Sequence, residues 1–198
     1  MSTTVKHQEK TDFLLDKGLQ LLWSKGYNGT SVNDIVKTAN VPKGSFYFYF
    51  DSKEDFAVKA LKRYFCLKSN ATEQVLEDPS LSPGMRLYGY YAKRVEIMKG
   101  ELQCSMGCMG SNIGNEMSEH SEKIRTTIVK HEENTRNKIV GVVVAAQENK
   151  EINLPLDPGK IVAFIEDAYK GVLISMKENQ SPEPLDNFLV FLKTLIIK

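Results

Sequence analysis

The most reactive side chains in this chain are three thiols, Cys66, Cys104 and Cys108. An odd count is too few for a disulfide scaffold in 198 residues, so free thiols and a reducing, cytoplasmic address are expected. Cys104 and Cys108 are four apart, a spacing that shares a helix face, but Gly107 between them favours a loop. Cys108 lies near an expected helix N-terminus, where the helix dipole favours thiolate. Cys108 is therefore the first candidate for a redox or electrophile sensor and Cys104 the second. The alternative is that both are small buried hydrophobes. His120 and His131 lack the close paired spacing of a structural zinc site, so neither metal nor cofactor is expected. There is no phosphate-cradling glycine loop, nucleophile elbow or His-Glu-x-x-His, which argues against an enzyme.

A second chemistry lies in "KGSFYFYFDSKEDF", residues 43–56, where five aromatics stand in succession. Their period of two has the look of a strand. Pro42 before the run and Ser52 after it leave room for barely two helical turns, and no partner strand is nearby. As a helix over 44–50, Phe46, Tyr49 and Phe50 share one face and anchor it, while Tyr47 and Phe48 point away. An outward Tyr hydroxyl can donate to a phosphate, and an outward Phe ring can lie on a thymine methyl or sugar. Lys43 and Lys53 at two helix starts supply positive charge beside free backbone N–H groups. Gly44 permits close backbone approach, and Ser45 can donate to a base edge or phosphate.

The elements that must position these groups are helices. Phe13, Leu14, Gly18, Leu21 and Leu22 form one apolar face of a first helix, ended by "SKGYNGT" through Gly26 and Gly29. Ser31 with Asp34 reads as a capping pair opening a short helix over 32–39, with Val32, Ile35 and Val36 inward. Phe13, Leu21, Val32 and Ile35 are the expected bed for the aromatic face. Ser52 with Asp55 opens a long helix over 53–75. Two short helices after a stabilising one make a helix-turn-helix unit, whose second helix enters the major groove.

The segment "GYNGTSVNDIVKTANVPKGSFYFYFDSKEDF" resembles the DNA-binding domain of the TetR family of transcriptional repressors. The likeness spans residues 10–65 and keeps nearly every punctuating residue. It implies an all-helical homodimer with a DNA-binding domain over 8–53, its helix-turn-helix over 31–50. A C-terminal effector-binding and dimerisation domain would occupy 54–198. The family pattern places its phosphate-binding Tyr and Lys at Tyr47 and Lys53. The candidate DNA-contacting set is Ser31, Lys43, Gly44, Ser45, Tyr47, Phe48, Tyr49 and Lys53, and the partner is double-stranded operator DNA with pseudo-palindromic half-sites. Bulk charge adds nothing to this reading: residues 1–55 hold seven basic and seven acidic side chains, and the whole chain is at +1.

"ELQCSMGCMGSNIGNEMSEHSEKIR", residues 101–125, resembles a Gly-Cys…Glu-[Met/Val] patch of the N-ethylmaleimide-responsive (NemR-like) branch, whose sensing cysteine matches Cys108. Met109, Gly110 and Ser111 depart from that branch's apolar residues, so its inducer does not carry over. Lys177 matches a lysine of the branch and would lower the thiol's pKa if folded close to it. The alternative is a plain non-covalent pocket lined by Met98, Met106, Met109, Tyr88, Tyr91, Phe164 and Tyr169.

Further helices are expected over 84–100, 113–117, 121–149, 160–177 and 185–197, about nine in all, with "GVVVAA" (141–146) inside a helix and "LPLDPG" (154–159) a loop. The last two carry apolar stripes: Ile161, Phe164, Ile165, Ala168, Val172 and Leu173, then Leu185, Phe188, Leu189, Leu192, Leu195 and Ile196. The family resemblance makes this pair a four-helix dimer interface; part of each stripe must also cover the chain's own core. No apolar run is long enough for a membrane span.

Overall fold

A computed structural model describes residues 3–153 and 155–196. Among them are nine α-helices and a final π-helical turn: α1 (Thr3–Lys25), α2 (Val32–Thr38), α3 (Lys43–Tyr49), α4 (Lys53–Leu76), α5 (Pro83–Lys99), α6 (Met109–Met117), α7 (Glu122–Glu148), α8 (Pro158–Asn179) and α9 (Glu183–Phe191). No strand occurs among the described residues, and 141–146 lie inside α7. The π turn spans Leu192–Ile196. The side chains of Leu195 and Ile196, the expected helix end at Ile197, and Leu154 at the start of the expected loop lie outside the described set.

The caps explain the boundaries. At α2 the Ser31 hydroxyl accepts from the Asp34 N–H, and the Asp34 carboxylate accepts from the Ser31 N–H, satisfying two donors that a helix start leaves over. Ser52 accepts from the Asp55 N–H at the head of α4. Ser82 and Asp157 cap α5 and α8, each followed by a proline in the first turn. Gly26 ends α1 at φ +74°, the left-handed conformation glycine adopts without steric cost.

Two compact units result, Met1–Leu67 with Met109–Lys130, and Lys68–Cys108 with His131–Lys198. The division falls inside α4 and α7, so α6 groups with the N-terminal helices.

In the first unit the buried stripe of α1 is Leu14, Leu15, Gly18, Leu19, Leu22 and Trp23. This corrects the expected face: Phe13 is exposed, and Leu21 and Val32 are half-buried. The leucine-rich run satisfies three-and-four spacing in two registers, and packing chose the one that puts Gly18 under the Phe56 ring, where a Cβ would overlap it. Arg63 of α4 grips α1 through a two-pronged bond to Asp16, at 2.6 and 2.8 Å, and a third bond to Asp12.

Candidate nucleic-acid interface and effector region

α3 is a seven-residue helix with two faces. Phe46 and Phe50 are sealed, at 0% and 1% exposure, and their rings meet Phe56 of α4 at 5.8 and 5.1 Å. Tyr47 and Phe48 stand 57% and 70% exposed. A helix of two turns has little stability of its own, so the buried rings set its direction and the exposed ones are displayed by it. Lys43, Gly44 and Ser45 form its first turn; Lys43 and Gly44 are exposed, and nothing lies within 4 Å of where a Cβ on Gly44 would be. That open ground suits approach of another backbone.

Three of the expected contact residues have further engagements. Tyr49 is half-buried, with its ring 4.9 Å from that of His7, which also touches Phe48 at 5.2 Å. Ser31 gives its hydroxyl to Asp34 at 2.6 Å while capping α2. Lys53 donates to the carbonyls of Tyr27 and Thr30, both at 2.9 Å, and sits 4.1 Å over the Tyr27 ring. Burial lowers its pKa, opposed by the charge of Glu116. Lys53 is first a staple of the turn before α2, with one of its three N–H donors left over. His7 carried no signal in the sequence, because its place beside α3 depends on how α1 packs.

The 101–108 segment is a loop, so Cys104 and Cys108 do not share a helix face. Gln103 and Cys104 both adopt left-handed φ, +46° and +56°, which is uncommon for residues with a Cβ. Cys104 is buried; Cys108 is half-buried and immediately precedes α6. Met98, Tyr91 and Tyr169 are buried, Met106 and Tyr88 half-buried, and Met109 is fully buried in the first unit. Two of the expected lining residues fall elsewhere. Phe164 is 71% exposed on the outer side of α8, and Lys177 is exposed in its last turn. The apolar stripe of α8 is wide enough to cover the core and still present Phe164 outward.

What the sequence did not show is the centre of the second unit. Tyr91, Tyr169 and Phe188 pack ring to ring at 5.2 to 5.7 Å. Glu166 accepts from the Tyr91 hydroxyl at 2.7 Å and from the Arg94 guanidinium at 2.6 Å, and that guanidinium lies 4.0 Å over the Tyr169 ring. Burial opposes both charges, yet each holds the other ionised: Glu166 stays below the usual carboxylate range and Arg94 is raised. Burial pushes the Tyr90 hydroxyl up to about 12 and raises Tyr91 and Tyr169 as well. The Tyr169 hydroxyl is buried with no hydrogen-bond partner among the described residues. Arg94 and Glu166 escaped the sequence reading because each, taken singly, reads as an ordinary solvated helix charge.

On the outer side of the second unit, α8 and α9 enclose an open groove of about 690 Å³. Phe164, Ala168, Val172, Phe188, Phe191 and Leu192 are among its lining. No helix among the described residues is long and apolar enough to cross a membrane, and no group of His, Cys, Asp and Glu is arranged to hold a metal ion.

A displayed two-turn helix behind a capped short one is the arrangement of a helix-turn-helix unit. Residues 14–60 match the profile of bacterial regulatory proteins of the tetR family, and residues 83–192 match the tetracyclin repressor-like C-terminal domain. The chain belongs to the TetR family of DNA-binding transcriptional regulators. It is 34% identical over 176 residues to the HTH-type transcriptional repressor DhaR of Mycobacterium sp. strain GP1, covering 89% of this chain and 86% of that one. It is 28% identical over 193 residues to the HTH-type transcriptional repressor NemR of Escherichia coli K12, covering 96% of each. The crystal structure of reduced E. coli NemR superposes with a TM-score of 0.85 at 27% identity, over 95% of this chain and 97% of that one. The likeness to NemR first met around Cys108 thus runs the length of the chain, with DhaR a relative of higher identity.

Proposed function

We propose that this protein is a cytoplasmic homodimeric repressor, released from a pseudo-palindromic operator by a small molecule or electrophile acting on its second unit. The observation that carries the DNA-binding half is the split face of α3, with Tyr47 and Phe48 displayed while Phe46 and Phe50 are sealed. Tyr47 donates to a phosphate, Phe48 lies against a thymine methyl or sugar, and Lys43, Gly44 and Ser45 meet the groove edge. Ser31, Tyr49 and the spare donor of Lys53 complete the set at the flanks. The apolar α8/α9 groove supports the dimer: a second copy covers it, and two-fold pairing sets two α3 helices on successive major-groove faces.

Cys108 is the proposed sensor, being half-buried and immediately before the start of α6. Its thiolate adds to an activated C=C bond: the S–C bond forms, the π pair moves to the carbon beside the carbonyl, and that carbon takes a proton from water. A second reading has its own support. The unpartnered Tyr169 hydroxyl beside Arg94 suits a non-covalent ligand with a carbonyl or carboxylate oxygen.

A duplex selected from a random pool by the untreated protein serves as operator, with the exposed Cys66 replaced by Ser throughout. N-ethylmaleimide is expected to release that duplex from the Cys108-containing protein and not from Cys108→Ser. Equal release from both moves the sensor role from Cys108 to Cys104, and release from neither leaves the non-covalent reading.

A further inference from the structure

Glu116 lies in the 101–125 stretch that stood out in the sequence, and its carboxylate is bonded to the turn ahead of α2. It accepts from the backbone N–H of Tyr27 at 3.2 Å and of Asn28 at 2.8 Å, through one oxygen each. Gly26, at φ +74°, lets that turn lie against α6; a Cβ on it would overlap the same carboxylate. On the other side of the turn, Lys53 holds the carbonyls of Tyr27 and Thr30. The Thr30 hydroxyl closes the turn on the Gly26 carbonyl at 2.7 Å. Residue 31 is already the cap of α2.

The placement of Glu116 is itself fixed. The first amide of α6, on Met109, donates to the Tyr64 hydroxyl at 3.4 Å. Ile113 is fully buried, and beyond the helix Ser121 donates to Glu54 at 2.6 Å. α2 and α3 have seven residues each, too few to keep a direction without such external fixing.

We propose that Glu116 is a positioning residue for operator binding: by gripping the Tyr27 and Asn28 amides it sets the turn that delivers α2 and α3 to the major groove. This rests on the DNA-binding half of the reading above and needs neither the cysteine nor any effector. A carboxylate taking two backbone N–H bonds is a charge-assisted clamp, stronger than two neutral bonds and specific in direction.

The test uses the full chain and the duplex selected by the wild type. Glu116→Ala is expected to weaken duplex binding about tenfold and to flatten the dependence of affinity on salt, because a tilted α3 reaches fewer phosphates. Amide hydrogen exchange at Tyr27 and Asn28, read without DNA, is expected to quicken in the same variant. Glu116→Gln keeps one acceptor oxygen and is expected to fall between, and it replaces the alanine variant if that one does not fold. Unchanged exchange at both amides overturns the clamp. Faster exchange with unchanged affinity, or a lower melting temperature with an unchanged salt slope, overturns the positioning role. Failure of the wild type to select any duplex removes the DNA-binding reading itself and the positioning role with it, an outcome visible before any variant is made.

Discussion

Each compact unit contains a cluster of aromatic rings, and the two are built on different physics. In the first, Phe46, Phe50 and Phe56 meet at 5.1 to 5.8 Å as buried apolar rings, with no charge among them. In the second, Tyr91, Tyr169 and Phe188 meet at nearly the same spacing around the charges of Arg94 and Glu166. An apolar cluster is insensitive to pH and to small polar molecules, which suits a part that must present one fixed surface. A buried ion pair is stable only while both partners and their hydrogen bonds are in place. The contrast fits the proposed roles, a rigid first unit that displays α3 and a second unit open to an effector.

Removing one charge is the strongest way to break that comparison. Glu166→Ala leaves the part-buried Arg94, its side chain 21% exposed, without its partner and is expected to cost about 1.5–3 kcal/mol in urea unfolding. Replacing both, Arg94→Leu with Glu166→Leu, is expected to restore most of the loss. A double variant as unstable as the single would mean that the pair is not coupled.

Acid is the gentler probe. Glu166 is depressed in the folded state: burial raises it, and the Arg94 charge and the Tyr91 bond more than reverse this. Its contribution is present above the unfolded value of 4.5 and is lost as pH falls through the lower folded value. His131 is depressed chiefly by burial, so its neutral form is favoured and stability declines as pH drops below the unfolded 6.5. Between about pH 7 and pH 5 the amides of α7 around His131 are expected to lose protection, and those of α8 around Glu166 only below about pH 4.5, while those of α4 beside Phe56 keep theirs. Equal loss in α4 would dissolve the contrast.

The smallest effect sharpens the first unit. Ser31→Ala removes the acceptor that caps α2 and is expected to cost about 1 kcal/mol, seen as a lower urea midpoint with unchanged slope. A larger loss would show that the fixed surface depends on its caps as much as on its rings.

Much of the first unit was legible because its signals are local. Ser31 with Asp34, and Ser52 with Asp55, act over three residues, and α2 and α4 begin where those pairs predict. The aromatic run was legible as a helix because Pro42 and Ser52 left no room for a paired strand. The register of α1 was not, since Phe13 and Leu14 fit the same periodicity and only Phe56, far along the chain, chose between them. Lys53 was expected as a cation for DNA, and its bonds to Tyr27 and Thr30 carried no sequence signal. In the second unit the tyrosines were visible and the charges between them were not: Arg94 and Glu166 are 72 positions apart. Phe164 looked like pocket lining because a stripe shows which residues are apolar and not which side of a wide stripe is covered.

The sequence by itself determined where most helices lie, the caps of α2 and α4, and which of Phe46, Tyr47, Phe48 and Phe50 are sealed or displayed on α3. Those follow from hydrogen bonds and periodicities that reach no further than one or two turns. Only the tertiary structure decided that Glu116 grips the turn before α2, that Arg94 and Glu166 share the centre of the second unit, and that Phe164 faces outward. Such contacts join residues that are neighbours only after packing, and burial and pairing have no one-dimensional signature.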